Sequence, residues 1–320
     1  MIKKNQHTLI LPKTNIKKRL DLIIKQHFPN YSRSCIKKWI SNKLVILDDI
    51  IIKKPKKISG GKLIIIHDNN PNILHPEPQN LPLDILYEDQ YILVINKQKN
   101  LVVHPGTNNL NGTLLNALLY KYPILVSIPR AGIVHRLDKD TTGLMLIAKT
   151  INAQLKLIDM IKRHEIIREY EAIVVGIVPS NGTIDAPIGR HSTKKTQMTV
   201  SLQGKNAITH YNVIEYFRNH SRINIRLETG RTHQIRVHMA YINHPLLGDQ
   251  VYGKHVSVVQ KNKHITMNEM FHFNRQALHA IKLIFTHPIT NARMVIDAPI
   301  PVDINNLINS LKKDHRIIKF

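Results

Sequence analysis

Gly132-Ile133-Val134-His135-Arg136-Leu137-Asp138-Lys139-Asp140-Thr141-Thr142-Gly143-Leu144-Met145-Leu146-Ile147-Ala148-Lys149 decides how the rest of this chain is read. Ile133-Val134 and Leu144 to Ala148 are short apolar runs bounded by glycine or polar residues, the pattern of buried strands. The link between them carries Arg136, Asp138, Lys139 and Asp140. Pattern alone favours a charged turn on an ordinary β-hairpin. The other reading mounts a carboxylate between two core strands, on the rigid scaffold a catalytic group needs.

The chain has 320 residues, enough for one large domain plus a small one or for two of middling size. An apolar fraction of 42% fits a folded chain rather than a disordered one. No apolar run approaches the length of a membrane span. Met1 to His7 lead into no apolar core of the kind a secretory leader carries. The single Cys35 can form no internal disulfide, which suits a reducing cytosol, and a cytoplasmic location is expected.

Lys plus Arg number 46 against 22 Asp plus Glu, a net charge of +24. A chain this basic attracts polyanions, with nucleic acid the default partner. An AT-rich coding sequence would scatter lysine over indifferent surface positions. It does not explain clustering, and residues 1–70 hold 16 basic and 4 acidic residues, so they carry +12 of the +24.

Within that segment the spacing predicts a helix over Lys17 to Phe28, with Leu20, Ile23, Ile24 and Phe28 on one face. Ser32 can cap a second helix that buries Ile36, Trp39 and Ile40. Arg33 and Lys37 share its outer face, extended by Lys38. Leu44 to Leu47 and Ile50 to Ile52 read as a hairpin around Asp48-Asp49, with Leu63 to Ile66 as a third strand. Residues 71–82, inside a proline-rich stretch, read as a linker. Residues 83–320 alternate strands with a few helices, an α+β pattern with a mixed, largely antiparallel sheet. Helices are expected after Thr113, over Ile151 to Lys162 with Leu155, Ile158 and Ile161 in line, near Thr232 to Ile242 with Thr232 as cap, and over Asp303 to Lys313. Lys254 to Asn274 reads as a long loop.

His135-Arg136-Leu137-Asp138 with Thr141-Thr142-Gly143 does not stand alone. Arg168-Glu169-Tyr170, Gly230-Arg231-Thr232-His233-Gln234-Ile235-Arg236-Val237-His238, His244-Pro245-Leu246-Leu247-Gly248-Asp249 and Leu278-His279-Ala280 follow in order. Together these motifs resemble the RluA family of pseudouridine synthases over nearly the whole chain. The basic helix–helix–hairpin segment, with Arg19-Leu20-Asp21 and Ser32-Arg33-Ser34, resembles an S4 RNA-binding domain. It departs at Asp49, where such hairpins commonly place glycine.

The resemblance implies isomerisation of specific uridines in large-subunit (23S) ribosomal RNA. The partner would be that RNA or the pre-ribosomal large subunit, with no DNA and no membrane involved, and the enzyme would act as a monomer. The reaction keeps every atom of the substrate, so neither a cofactor nor a metal is implied. His233 and His238, five apart, do not share a helical face as paired zinc ligands would. Asp138 matches the family's essential aspartate and could act as nucleophile or base. Arg236 matches the arginine that pairs with it, and Tyr170 the tyrosine against the target base. Arg136 matches the residue that fills the space of an extruded nucleotide, and Leu278 a pocket wall. Arg19, Arg33, Lys37 and Lys38 would meet RNA phosphates. Two other enzymatic readings stand beside this one: a synthase acting on other RNA sites, and a glycosidase with Asp140 as second carboxylate. A non-catalytic RNA-binding or ribosome-assembly protein is the third alternative.

Overall fold

The computed structural model describes residues 5–28, 33–68, 76–106, 109–253 and 273–316. The chain divides into two compact units, Met1–Glu77 and Pro78–Phe320.

The first unit runs β1 (Asn5–Ile10), β2 (Lys18–Arg19), α1 (Leu20–His27), α2 (Arg33–Ser41), β3 (Val45–Leu47), β4 (Ile50–Ile51), β5 (Lys57–Ile58) and β6 (Leu63–Asp68). Its sheet has the order β1-β6-β3-β4, and β2 pairs with β5 as a separate ribbon. Leu20, Ile24, Ile36, Trp39, Ile40, Val45, Ile64 and Ile66 form its buried core. The first helix starts three residues later than its apolar spacing suggests. Lys18 and Arg19 are held extended by their pairing with Ile58 and Lys57, which overrides helical periodicity. The position of the expected cap Ser32 lies outside the described residues.

The β3–β4 turn is built without glycine. Asp48 and Asp49 take φ of 46° and 62°, the left-handed pair that a two-residue hairpin demands. Short polar side chains tolerate this region when they bond locally. Here the Asp48 carboxylate accepts the Leu63 N–H at 2.8 Å and the Lys62 ammonium at 2.6 Å.

The second unit contains β7 (Ile85–Glu88), β8 (Ile92–Lys97), α3 (Leu114–Lys121), β9 (Thr142–Ala148), α4 (Ile151–Lys162), β10 (Ile167–Val175) and β11 (Gly182–Asp185). There follow β12 (Ile188–Arg190), β13 (Met198–Val200), β14 (Ile208–Tyr216), β15 (His220–Leu227), α5 (Gln234–Tyr241), β16 (Leu278–Thr286), β17 (Arg293–Asp297) and a C-terminal helix, Val302–Arg316. Nine strands form one sheet of order β11-β14-β15-β10-β16-β9-β8-β7, with β17 also on β16. Its ladders are antiparallel except where β9 meets β16, which run parallel. The sheet is therefore mixed, with helices around it.

Every residue of β9 is buried. Met145 and Ile147 face one core together with α3, while Leu144, Leu146 and Ala148 face another together with α4. A strand covered on both faces reads as an unbroken apolar run, which is why alternation was absent from this stretch. Gly143 sits where β9 crosses β16, with φ of 110°, and a Cβ there would overlap the Ala280 carbonyl.

The expected strand at Ile133-Val134 is not one. Ile133 makes a single bridge to Ile147. The next backbone donor, Leu146 N–H, goes at 2.9 Å to the imidazole Nε2 of His135. A side chain thus takes the place of a ladder partner. The phase of α4 also differs from expectation: Leu155 is 62% exposed, and the buried face is Ala153, Gln154, Leu157 and Met160. Gln154 sets that face by donating to the Pro129 carbonyl at 2.6 Å, so the helix is rotated by a polar tie that apolar spacing does not register.

Thr113 caps α3 with a capping box. In the C-terminal helix Leu307 and Leu311 are buried as expected. Most of the loop expected over Lys254 to Asn274 lies outside the described residues. No helix among those described is long and apolar enough to cross a membrane.

Candidate active site

A cleft of about 790 Å³ opens in the second unit. Asp138, Tyr170, Arg136, Arg236 and Leu278 all line it, although they come from four separate stretches of chain. Asp138 and Arg136 belong to the link before β9, Tyr170 to β10, Arg236 to α5 and Leu278 to β16.

The link is held from beneath. Lys97, at the end of β8, is 1% exposed, and its ammonium donates to the carbonyls of Gln98, Leu101 and Lys139 at 2.8, 3.0 and 2.9 Å. Burial pulls its pKa down to about 7, against the opposing pull of Asp140 and Asp138. The Thr141 N–H donates to the Asp138 carbonyl at 3.2 Å and closes the turn. The Asp138 carboxylate is thereby fixed at its backbone while its side chain keeps 15% exposure toward the cleft.

Arg236 is the hub. Its Nη1 donates to Asp138 Oδ2 at 3.0 Å. Nε and Nη2 donate to the two oxygens of Asp249 at 2.7 and 2.9 Å, a bidentate pair. Asp249 is itself fully buried and accepts the N–H groups of Val251 and Tyr252. Burial pushes its carboxyl upward, but the bonds and charge of Arg236 and those two N–H groups outweigh it, and the group lies below the usual carboxylate range. The Arg236 guanidinium also lies over the Tyr252 ring, 5.0 Å from its centre. A cation clamped on one side by Asp249 presents its remaining edge to Asp138 in a single orientation.

The start of α5 differs from expectation. His233 is the capping residue, in the left-handed region with φ of 56°, and Thr232 is not. The Gln234 side chain accepts the Arg231 N–H and the Thr229 hydroxyl, and donates to Ile208 O and Thr209 Oγ1. This buried amide ties the helix start to β14. It leaves His233 beside the cleft, with Nε2 3.9 Å from Asp138 Oδ1 and Nδ1 2.8 Å from the Tyr252 hydroxyl. His238 points away, bonded to Thr209 and Ala186.

Tyr170 is 5% exposed, and burial first of all keeps its phenol protonated. Leu278 is 4% exposed in the same wall. Arg136 is exposed at the rim, with no hydrogen bond or ion pair among the described residues. Asp140 holds the fold instead: its carbonyl accepts Arg275 at 2.9 Å.

The four basic residues expected at RNA divide into two pairs. Arg19 and Arg33 both bond the carboxylate of Asp21, at 2.9 and 3.2 Å, so they are fastened to the first unit's own core. Lys37 and Lys38 are exposed on α2. Sequence reasoning assigned no role to Asp249, Lys97 or Arg168. Asp249 and Arg168 stood inside quoted motifs, but nothing in a linear motif tells a charge that touches substrate from one that positions it.

A family model described as RNA pseudouridylate synthase matches residues 91–241. Ribosomal large subunit pseudouridine synthase D of Escherichia coli (strain K12) is 49% identical over 315 residues, covering 98% of this chain and 97% of that protein. The protein of the same name from Haemophilus influenzae is 53% identical over 298 residues, covering 93% and 92%. Among solved structures, human RNA pseudouridylate synthase domain containing 4 superposes with a TM-score of 0.57 over 72% of this chain and 93% of that one, at 24% identity, a likeness of fold. With relatives this similar along almost its entire length, and with the cleft where the family match lies, the chain belongs to the RluA-type RNA pseudouridylate synthases.

Proposed function

We propose that this enzyme converts uridine to pseudouridine in large-subunit ribosomal RNA, in the cytoplasm, with Asp138 as the catalytic carboxylate. The observation that carries the reading is the 3.0 Å bond from Arg236 to an Asp138 carboxylate that still faces the cleft. The names of the relatives support the substrate.

The reaction breaks the bond from C1′ of the ribose to N1 of uracil and makes one from C1′ to C5. Arg236 pairs with the Asp138 carboxylate through one N–H donor and aims it. The carboxylate then acts at the sugar, as nucleophile on C1′ or as base on a ribose proton. Tyr170 offers its ring to the base, and Leu278 closes the apolar side of the pocket. A uridine inside folded RNA must be extruded to reach this depth, at a cost of about a few kcal/mol. Arg136, exposed at the rim, suits the place the nucleotide vacates. The first unit acts as an S4-like RNA-binding domain, with Lys37 and Lys38 toward the phosphates.

Incubating the protein with 23S ribosomal RNA and mapping pseudouridine tests the reading. Asp138→Asn abolishes product while RNA binding survives. Undiminished product from that variant would overturn the assignment of Asp138.

A further inference from the structure

We propose that Arg168 grips the uracil ring while it is detached from the sugar, its guanidinium stabilising the negative charge the base then carries. The proposal rests on the synthase reading above and extends it to a second cation in the cleft.

Arg168 is 6% exposed and lines the cleft. Among the described residues no carboxylate pairs with it. Its one side-chain hydrogen bond among those residues is long, 3.4 Å from Nη2 to the Glu228 carbonyl. Its Nε is buried and has no partner. Nη1 lies against Gly230, where a Cβ would stand 2.8 Å away, so the glycine leaves room for the guanidinium without offering it an acceptor. The contrast with other buried arginines is sharp. Arg236 and Arg275 each hold a carboxylate bidentately, with Nε and Nη2 on Asp249 and on Asp303. A buried guanidinium with unmet donors is costly unless a partner arrives.

Position identifies the partner. Arg168 and Tyr170 are two residues apart on β10, so their side chains share a face of the sheet. Phosphates stay with the RNA backbone at the rim, where Arg136 is exposed. A cation buried beside Tyr170 meets the base instead. Cleavage of the C1′–N1 bond leaves its electron pair on N1 and produces a uracil anion. That charge spreads to the two carbonyl oxygens, which are acceptors matched to a guanidinium. Held by those oxygens, the ring can turn so that C5 reaches C1′. The new C–C bond then forms, C5 loses its proton, N1 gains one, and the product is an isomer of the substrate. A fixed cation in a site shielded from water supports such a charge far better than water does.

The test is Arg168→Met in the full-length enzyme, with Arg168→Lys beside it. Loss of an unpaired buried charge leaves the melting temperature of Arg168→Met unchanged or higher. Its single-turnover rate on ribosomal RNA falls about 100-fold, with RNA affinity within about threefold, and Arg168→Lys recovers part of the rate. Fluorine at C5 makes the base a better leaving anion, so in RNA containing 5-fluorouridine the variant's deficit in glycosidic cleavage shrinks to about tenfold or less. A melting temperature several degrees lower would make Arg168 a structural residue and overturn the proposal. So would weaker RNA binding with a shallower salt dependence and an unchanged single-turnover rate, the behaviour of a phosphate contact. A wild-type enzyme that forms no pseudouridine would remove the synthase reading itself, whereas an active wild type with a fully active Arg168→Met removes this proposal alone.

Discussion

In the first unit two arginines converge on one buried carboxylate; in the second, two carboxylates converge on one buried arginine. Asp21 is fully buried and its partners Arg19 and Arg33 have side chains 48% and 53% exposed. Arg236 is 7% exposed, between Asp249 at 0% and Asp138 at 15%. The first arrangement leaves surplus positive charge turned toward solvent, suited to a polyanion. The second leaves one surplus negative charge, held at the edge of a cleft. The same two residue types, in opposite ratios, make a structural anchor in one place and a poised reactive group in the other.

The largest effect that would break this contrast is on Asp138. If it is the surplus charge that reacts, Asp138→Asn lowers the rate of pseudouridine formation by about 10⁴-fold or more, read by single-turnover assay, with little change in stability.

Asp249 comes next. Asp249→Ala frees Arg236 from its clamp and leaves a buried cation with one partner. The expected loss is about 3–5 kcal/mol of stability by denaturant titration, and about 100-fold in rate from misplacement of the Asp138 carboxylate. Asp21→Ala is the matched experiment. Its arginines can turn to water, so the first unit loses less, about 1–3 kcal/mol. Equal losses at the two sites would erase the distinction.

Acid should separate the units as well. Burial pulls His104, His220 and His279 down to about 4 and His135 to about 3, so all four stay neutral in the folded second unit. Unfolded, they take up protons below about pH 6.5. The unfolded state then binds more protons, and the second unit loses stability as pH falls from about 6.5 toward 4. In the first unit Asp21 is pushed up by burial but held below the usual range by Arg19 and Arg33. Its contribution is complete above about pH 4 and lost only as pH falls through the depressed value. Hydrogen exchange on the intact chain between pH 7 and 4.5 should show protection falling in the second unit's core peptides, while the contribution of Asp21 persists in the first.

The smallest effect is at Lys37 and Lys38. Replacing both with alanine should weaken RNA binding a few-fold and lower the salt-dependence slope by about 1 for each phosphate contact removed, leaving the single-turnover rate at saturation unchanged.

Much of this was legible in advance. The apolar run Leu144 to Ala148 is a buried strand, the helix after Thr113 is capped as its sequence predicts, and the ordered motifs name Asp138, Tyr170 and Arg236, which line one cleft. Three differences from expectation share a cause. Ile133-Val134 reads as a strand because it is apolar, yet the His135 imidazole supplies the bond a strand would have made. The buried face of α4 was misjudged because Gln154, a polar residue, sets it. Thr232 reads as a cap, and the Gln234 amide organises that turn instead by donating to the Ile208 carbonyl. In each case a side chain reached a backbone group distant in sequence.

Residue order alone determined that this chain has a basic N-terminal segment and a buried apolar strand after a charged link, and the family resemblance singled out Asp138 in that link. The segment and the strand follow from composition and local apolar patterning, which act over a few residues. Only the tertiary structure decided that Arg236, 98 residues from Asp138, is clamped by Asp249, that Arg19 and Arg33 are committed to Asp21, and that Arg168 is buried with no counter-charge among the described residues. Pairing of charges depends on distance and desolvation, and both exist only once the chain has folded.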